Sequence, residues 1–384
     1  MACLGIFIKL KPRISFKRVV EEVNFVDSLK NLHQHLGDDL QDQLVLVLMS
    51  VYKRPFYRDD EGDGQKFRQR PNCLLEIVID LKKTEKCPEL LKSILEYVDP
   101  YSIVAISSDL SDQFRPNMYW PNGQMPIHLA ASYGFVELVE KLITRYDSPI
   151  VKTEDGLTPI HFAASKGHSN VVEFLATLTD TPNEPENIGV TPIHLASEFG
   201  HLNVIELLVP LTDTPNAPDN SGTTPILMAA RNGHKNIIEI LAPLTDNPNA
   251  PDDDGVTPIH NAAYEGHLET VKLLVSFTDF QNVKDAIEGY TPIHDAAMQG
   301  HLDILKILVP LSENLNEPNN HGDTPLHLAA GEGHLDVVKF LMPLSENTYC
   351  SNNDGKTPID IAREEKHEHV VNYLKEVIQI QMDF

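Results

Sequence analysis

Six histidines, His128, His161, His194, His260, His294 and His327, recur at steps of 33 or 34 residues, with one step skipped at Leu227. Imidazole ligates metals and moves protons, so a histidine column raises both chemistries. The spacing argues against a shared ion. If each histidine sits on its own repeated helix, neighbours stand about 8–10 Å apart, the packing distance of helices. Zinc ligands must lie about 2 Å from one centre. A ligand column would also not drop out at Leu227 in mid-array, or become Asp360 at its end. A scaffold can exchange one hydrogen bond, worth about 1 kcal/mol, for apolar packing.

Other motifs with chemical promise fail on their neighbours. DGKTP (354–358) holds the G-K-T of a phosphate loop, but Cys350 stands where its first glycine is needed and Pro358 would break the following helix. HEH (367–369) and HQH (33–35) place histidines two apart, which on a helix do not share a face. Asp252, Asp253 and Asp254 lack the alternating ligands of a calcium loop and read as a solvated acidic turn. No nucleophile elbow, zinc-protease or kinase signature occurs. The expectation is no catalytic residue, no metal and no cofactor.

The elements that position these histidines repeat with them. A proline recurs at 126, 159, 192, 225, 258, 292, 325 and 358, so the period is 33 at every step but one. The extra residue falls in DFQNVKDAIEG, between Asp279 and Gly289. In most units threonine precedes the proline: a hydroxyl to cap free N–H groups, then a first-turn residue with no N–H to satisfy. Small alanines follow, then a glycine (134, 167, 200, 233, 266, 300, 333) suited to a left-handed helix end. A second helix carries apolar residues at helical spacing, as in VIELLVPL (204–211) and ILKILVPL (304–311). A polar segment rich in Asp, Asn, Pro and Gly, such as TDTPNAPDNSG (212–222), predicts a turn or hairpin.

T-P-I-H-x-A-A-x-x-G-H, an amphipathic helix and a turn glycine at period 33 resemble the ankyrin repeat over residues 119–384. One departure is systematic: where that family has G-A-D-V-N, this chain reads T-D-T-P-N, T-D-N-P-N or S-E-N-L-N. The resemblance implies an all-α solenoid of eight stacked helix pairs with projecting hairpin loops. It implies that the six histidines are structural, each tying its motif to an adjacent loop. It implies hydroxylation as a possible modification of the loop residues Asn183, Asn216 and Asn249, two of which follow a leucine (Leu175, Leu208) by eight. It also implies a concave binding face, built from the residues before each helix-ending glycine and around each turn glycine. On that face Phe199, Arg231, Tyr264, Tyr290 and Met298 form a central patch, since aromatics, Arg and Met anchor interfaces. Glu198, Glu265, Asp253 and Asp254 flank it with negative charge. Single helix pairs cannot bury their apolar faces alone, so the ends need caps; the charged last unit, TPIDIAREEKHEHVVNYLKEVI, reads as one.

Charge divides the chain. The formal net charge is −25, yet residues 1–120 hold 17 basic and 18 acidic residues, leaving 14 basic and 38 acidic for the rest. An acidic array repels nucleic-acid phosphate and suits a neutral or basic protein partner. Four isolated cysteines (Cys3, Cys73, Cys87, Cys350) fit a reducing compartment. No apolar run is long enough to span a bilayer. The basic residues near the start follow the apolar stretch instead of preceding it, and Ala2 stands where myristoylation needs glycine. A cytoplasmic setting, with the nucleus as an alternative, is expected.

Residues 1–118 read as a separate small helical domain. Phe16, Val19, Val20, Val23 and Val26 follow helical spacing, as do Leu29, Leu32 and Leu36. The segment 72–104 is similar to the last two helices of death-fold domains, death effector domains in particular. It lacks their charged terminal motif; VDPYSIV stands there. A death-fold module and a helical cap for the array both remain open. The expected function is a non-enzymatic scaffold or adaptor that binds a partner protein through the acidic array. The alternatives are a death-fold adaptor in innate immune or apoptotic signalling, a repeat-bearing pathogen or symbiont effector, and an enzyme with its catalytic part in the N-terminal region. That region offers only His33, His35 and scattered carboxylates.

Overall fold

The computed structural model describes residues 126–144, 146, 148–278, 282–345 and 349–382. The readings made for residues 1–118, including the death-fold similarity, lie outside the described residues. The described chain falls into two compact units: 131–136 with 148–382, and 126–130 with 137–146.

Sixteen helices alternate as an inner and an outer member of each pair. The inner helices are α1 Pro126–Ser132, α3 Pro159–Ser165, α5 Pro192–Phe199, α7 Pro225–Arg231, α9 Pro258–Glu265, α11 Pro292–Met298, α13 Pro325–Gly331 and α15 Pro358–Glu364. The outer helices are α2 Val136–Ile143, α4 Ser169–Ala176, α6 Leu202–Leu208, α8 Lys235–Leu241, α10 Leu268–Phe277, α12 Leu302–Leu308, α14 Leu335–Leu341 and α16 Glu368–Met382. No strand occurs among the described residues. From α3 onward each inner helix packs on the next inner helix, each outer on the next outer, and the two members of each pair on each other. This is the all-α solenoid that the period implies.

Local sequence sets each element. From Thr158 onward the threonine before each first-turn proline adopts extended backbone, and all but Thr224 close a capping box, for example Thr191 with His194. The prolines 210, 243, 310 and 343 end the outer α-helices in a single 3-10 turn each, Val209–Leu211, Ala242–Leu244, Val309–Leu311 and Met342–Leu344. Gly233 has φ +70°, and a β-carbon there would come within 2.7 Å of the His267 ring of the next pair. That glycine is therefore required twice, by its backbone and by its neighbour. The core is small and mostly aliphatic: Ile193, Ala196, Val204, Ile205 and Leu208 are fully buried, and their counterparts from α3 to α14 are buried too, with Thr270 in the place of Val204.

The histidine column is structural. In His161 the ring Nδ1 accepts the Thr158 backbone N–H at 3.1 Å, which leaves Nε2–H to donate to the Val190 carbonyl at 3.1 Å. His194 reaches Thr223 O, His260 reaches Tyr290 O, and His294 reaches Asp323 O, each at 3.1–3.2 Å. His327 reaches Lys356 O at 3.3 Å and Cys350 O at 3.1 Å. His128 is also fully buried. From His161 onward these rings tie their own helix starts to the loop of the following unit. Asp360 keeps the local half of this arrangement, accepting from the N–H and hydroxyl of Thr357. A carboxylate cannot donate onward as the imidazoles do.

Leu227 keeps the apolar half. It is buried at 5 % exposure, and its N–H still bonds to the Thr224 hydroxyl. The imidazole bonds to the Thr224 N–H and the Val256 carbonyl are missing. Leu227→His, measured above pH 7.5 so that the new ring is neutral, should restore both and stabilise the array by about 1 kcal/mol. A lowered thermal midpoint would show that the leucine packs better than the bonds it replaces.

Burial lowers the pKa of His161, His260 and His294 from 6.5 to about 4, and lowers His194 and His327 in the same direction. The unfolded chain therefore binds more protons below pH 6.5. Histidine-derived stability is complete above that value and is lost as pH falls toward 4, by up to about 1.4 kcal/mol per pH unit for each such ring. Burial lowers His234 as well, and Asp295 and Asp252, whose carboxyls are raised by burial, act in the opposite sense as two groups against six. The thermal midpoint should fall steadily between pH 6.5 and 4; a flat profile from pH 7 to 5 would contradict this.

Candidate partner-binding surface

A second histidine column acts on the backbone of the patch residues. The histidine after each helix-ending glycine donates through Nε2 to a carbonyl of the preceding pair. His234 reaches Glu198 O at 3.2 Å, His267 reaches Arg231 O at 3.1 Å, His301 reaches Tyr264 O at 3.0 Å and His334 reaches Met298 O at 3.0 Å. His168 and His201 do the same to Ser132 O and Ser165 O. The signal was present in the recurring Gly-His pair, but its partner cannot be read from a one-dimensional pattern. The consequence is mechanical: each inner-helix end is clamped by its successor, so its side chains project in a fixed register.

Those side chains divide by exposure. Phe199 is 49 % exposed and Tyr264 42 %, large for apolar groups with no cover. Arg231, Glu265, Asp253 and Asp254 are exposed, and Glu198 and Met298 are half-buried. Phe199 also lies 6.0 Å beneath the Lys166 ammonium. Tyr290 differs from the others. Its ring is half-buried and stacks on His294 at 5.9 Å and 16°, so it supports the scaffold as well as lining the surface.

The loops form a ladder of their own. The backbone N–H groups of Asn187, Asn220, Asp253, Ala286, Asn320 and Asn353 each donate to a carbonyl in the preceding loop, at 2.7–3.0 Å. Where that residue is asparagine, its side chain adds a second bond: Asn187 to Glu154 O, Asn220 to Asn187 O, Asn320 to Ile287 O and Asn353 to Asn320 O. Asp253 and Ala286 cannot donate in this way. Each turn is closed by a side-chain acceptor, among them Asp219, Asp252 and Asn319. Asp252 is thus part of the turn, while its neighbours Asp253 and Asp254 face solvent. The Oδ1 atoms of Asn183, Asn216 and Asn249 accept the N–H of Ile193, Ile226 and Ile259, each at 3.0 Å.

The inserted residue sits in one loop only. Where other turns read DNSGT (219–223), this one reads DAIEGY (285–290), and its closing bond runs from Asp285 N to Tyr290 O. Ile287 at its tip is 60 % exposed. Asn282, the counterpart of Asn249, has a buried Oδ1 with no hydrogen-bond partner. The cap seen at Asn183, Asn216 and Asn249 is absent here, where one extra residue separates Asn282 from Ile293. No cluster of three or more metal-ligating side chains occurs among the described residues.

Asp253→Asn should add the missing side-chain bond to the Asn220 carbonyl and remove a charge beside Asp252 and Asp254. At an exposed loop the gain should be about 0.5 kcal/mol, read as a small rise in thermal midpoint. No rise would mean that the asparagine bonds contribute nothing measurable to the ladder.

No helix among the described residues is long and apolar enough to cross a membrane. No curated protein matches the chain significantly. A family model described as ankyrin repeats (3 copies) matches residues 84–184, 177–252, 244–319 and 310–383. The first match begins inside the segment 72–104 that carries the death-fold similarity. Proteins of this family engage other proteins through their repeats and are typically non-catalytic. The matched stretches cover well over half of the sequence, and the chain belongs to the ankyrin-repeat family.

Proposed function

We propose that this protein is a non-enzymatic scaffold that binds a partner protein on the surface formed by the inner-helix ends and loop tips of the array. The domain division at 118/119 belongs to the same reading: the N-terminal region supplies a second contact, and the array supplies the first. One observation carries the proposal. Phe199, Arg231 and Tyr264 come from three successive pairs and are exposed, yet their helix ends are held by Glu198 O, Arg231 O and Tyr264 O bonds from the next pair. Large exposed anchors on a rigid frame lose little freedom on binding.

The charge of the surface points to the partner's character. The array carries most of the chain's net −25, and Asp253, Asp254 and Glu265 are exposed around the anchors. A neutral or basic protein surface complements it, and association with it should slow as salt screens the field. The setting we propose is the cytoplasm or nucleus.

The test is affinity capture from native cytosol with the full chain, with Phe199→Ala/Tyr264→Ala as comparison. Both side chains are exposed, so the double variant should keep the wild-type thermal midpoint. It should lose its partner by about 2 kcal/mol or more, near thirtyfold in affinity. Binding of the identified partner should also weaken as salt is raised. Unchanged capture by the double variant would overturn the surface assignment, and indifference to salt would overturn the electrostatic part.

A further inference from the structure

The position after each column histidine faces the same side as the anchors, one residue per pair. It reads Phe162, Leu195, Met228, Asn261, Asp295 and Leu328. All but one are half-buried; Asp295 is buried, with 7 % exposure. A carboxylate removed from water is expected to find partners. Its backbone is paired with Thr291 O and Gln299 N, but its carboxyl makes no hydrogen bond or ion pair among the described residues.

Its surroundings are acidic and aromatic. The Tyr290 hydroxyl is pushed up by burial and then by four carboxylates: Glu288, Asp323, Asp295 and Asp285. Three of these are occupied. Asp285 accepts the N–H groups of Ile287, Glu288 and Gly289, Glu288 holds His321 at 2.7 Å, and Asp323 accepts from Asn352 at 2.8 Å. Lys284, on the same loop, is held by Glu317 at 2.9 Å. Asp295 alone of the four is unclaimed, and burial followed by Asp285 raises its carboxyl well above the usual range. This is also the loop with the inserted residue.

Building on the surface reading above, we propose that Asp295 and the Tyr290 ring form a receptor for one basic side chain, best an arginine, projected by the partner protein. The unpaired carboxylate would supply a charge-assisted acceptor, and the aromatic ring a face for the planar cation. Arginine suits the position better than lysine, since guanidinium is more weakly hydrated and stacks on aromatics. The site trades stability for recognition: leucine fills this slot at 195 and 328, whereas aspartate here buries an unpaired charge.

The probe is Nα-acetyl-arginine amide, titrated into the full chain and followed by NMR, with Nα-acetyl-citrulline amide as its neutral isostere. Saturable shifts should centre on Tyr290 and Asp295 for the arginine probe only. Asp295→Asn should weaken the arginine probe about tenfold or more, while Asp253→Asn changes it less than about twofold. Asp295→Leu should raise the thermal midpoint; a lowered midpoint would mark a structural carboxylate and overturn the proposal. Equal binding of citrulline, equal binding by Asp295→Asn, or no saturable shift at Tyr290 would each overturn it as well. Partner capture separates this inference from the one beneath it. If capture fails with Phe199→Ala/Tyr264→Ala but is undiminished with Asp295→Asn, the surface stands and the cation receptor falls.

Discussion

The structure depends on one interaction repeated along the array: an imidazole Nε2–H donated to a carbonyl of a neighbouring repeat. Helix pairs this short cannot stand alone, since seven or eight residues are too few for a stable isolated helix. Apolar stacking supplies most of the stability but is tolerant of sliding. The histidines supply register. The first column points forward, from His194 to Thr223 O, and the second points back, from His234 to Glu198 O. Together they bolt each repeat to both neighbours. The first column does so only as neutral rings of one tautomer, because its Nδ1 must accept a threonine N–H.

Against this regular frame, the irregularities fall close together. Leu227 gives up two imidazole bonds. Asp253 and Ala286 give up side-chain rungs of the loop ladder. Asn282 has an orphaned buried oxygen, and Asp295 is buried with no side-chain partner. All five lie in the central repeats, between residues 227 and 295, which also hold Arg231, Tyr264 and Tyr290. Proteins concentrate departures from their own folding rules where function requires them. The flanking repeats keep the histidine bonds and the asparagine rungs that these positions lack, though Ser197, Ser312 and Asn319 there also hold buried polar atoms without a partner.

The sequence was legible to the extent that it repeated. Thr-Pro starts, glycine stops and proline-ended outer helices are local signals, and each produced the element expected of it. The pitch of the histidines argued only against a shared ion; the loop-tying bond was an implication of the resemblance to ankyrin repeats. The exposure of Phe199 and Tyr264 followed from their place before a helix-ending glycine. What could not be read was any contact made across repeats by a residue that looked locally ordinary. The Gly-His histidines looked like part of a helix stop, and they are clamps. Tyr290 looked like a free aromatic, but its ring rests on His294. Asp252 looked like one of three solvated acids and instead closes a turn. Asp295 occupies an x in the motif, a position that carries no signal until its burial is known.

The most direct test is the tautomer of the first histidine column, read from the 15N shifts of the imidazole nitrogens in the intact protein. The account requires Nδ1 unprotonated and Nε2 protonated in His161, His194, His260, His294 and His327 at neutral pH, with the pattern unchanged at about pH 5.5. Rings that titrate near 6.5, or that carry the proton on Nδ1, would contradict it, because neither can accept from threonine while donating to the next repeat.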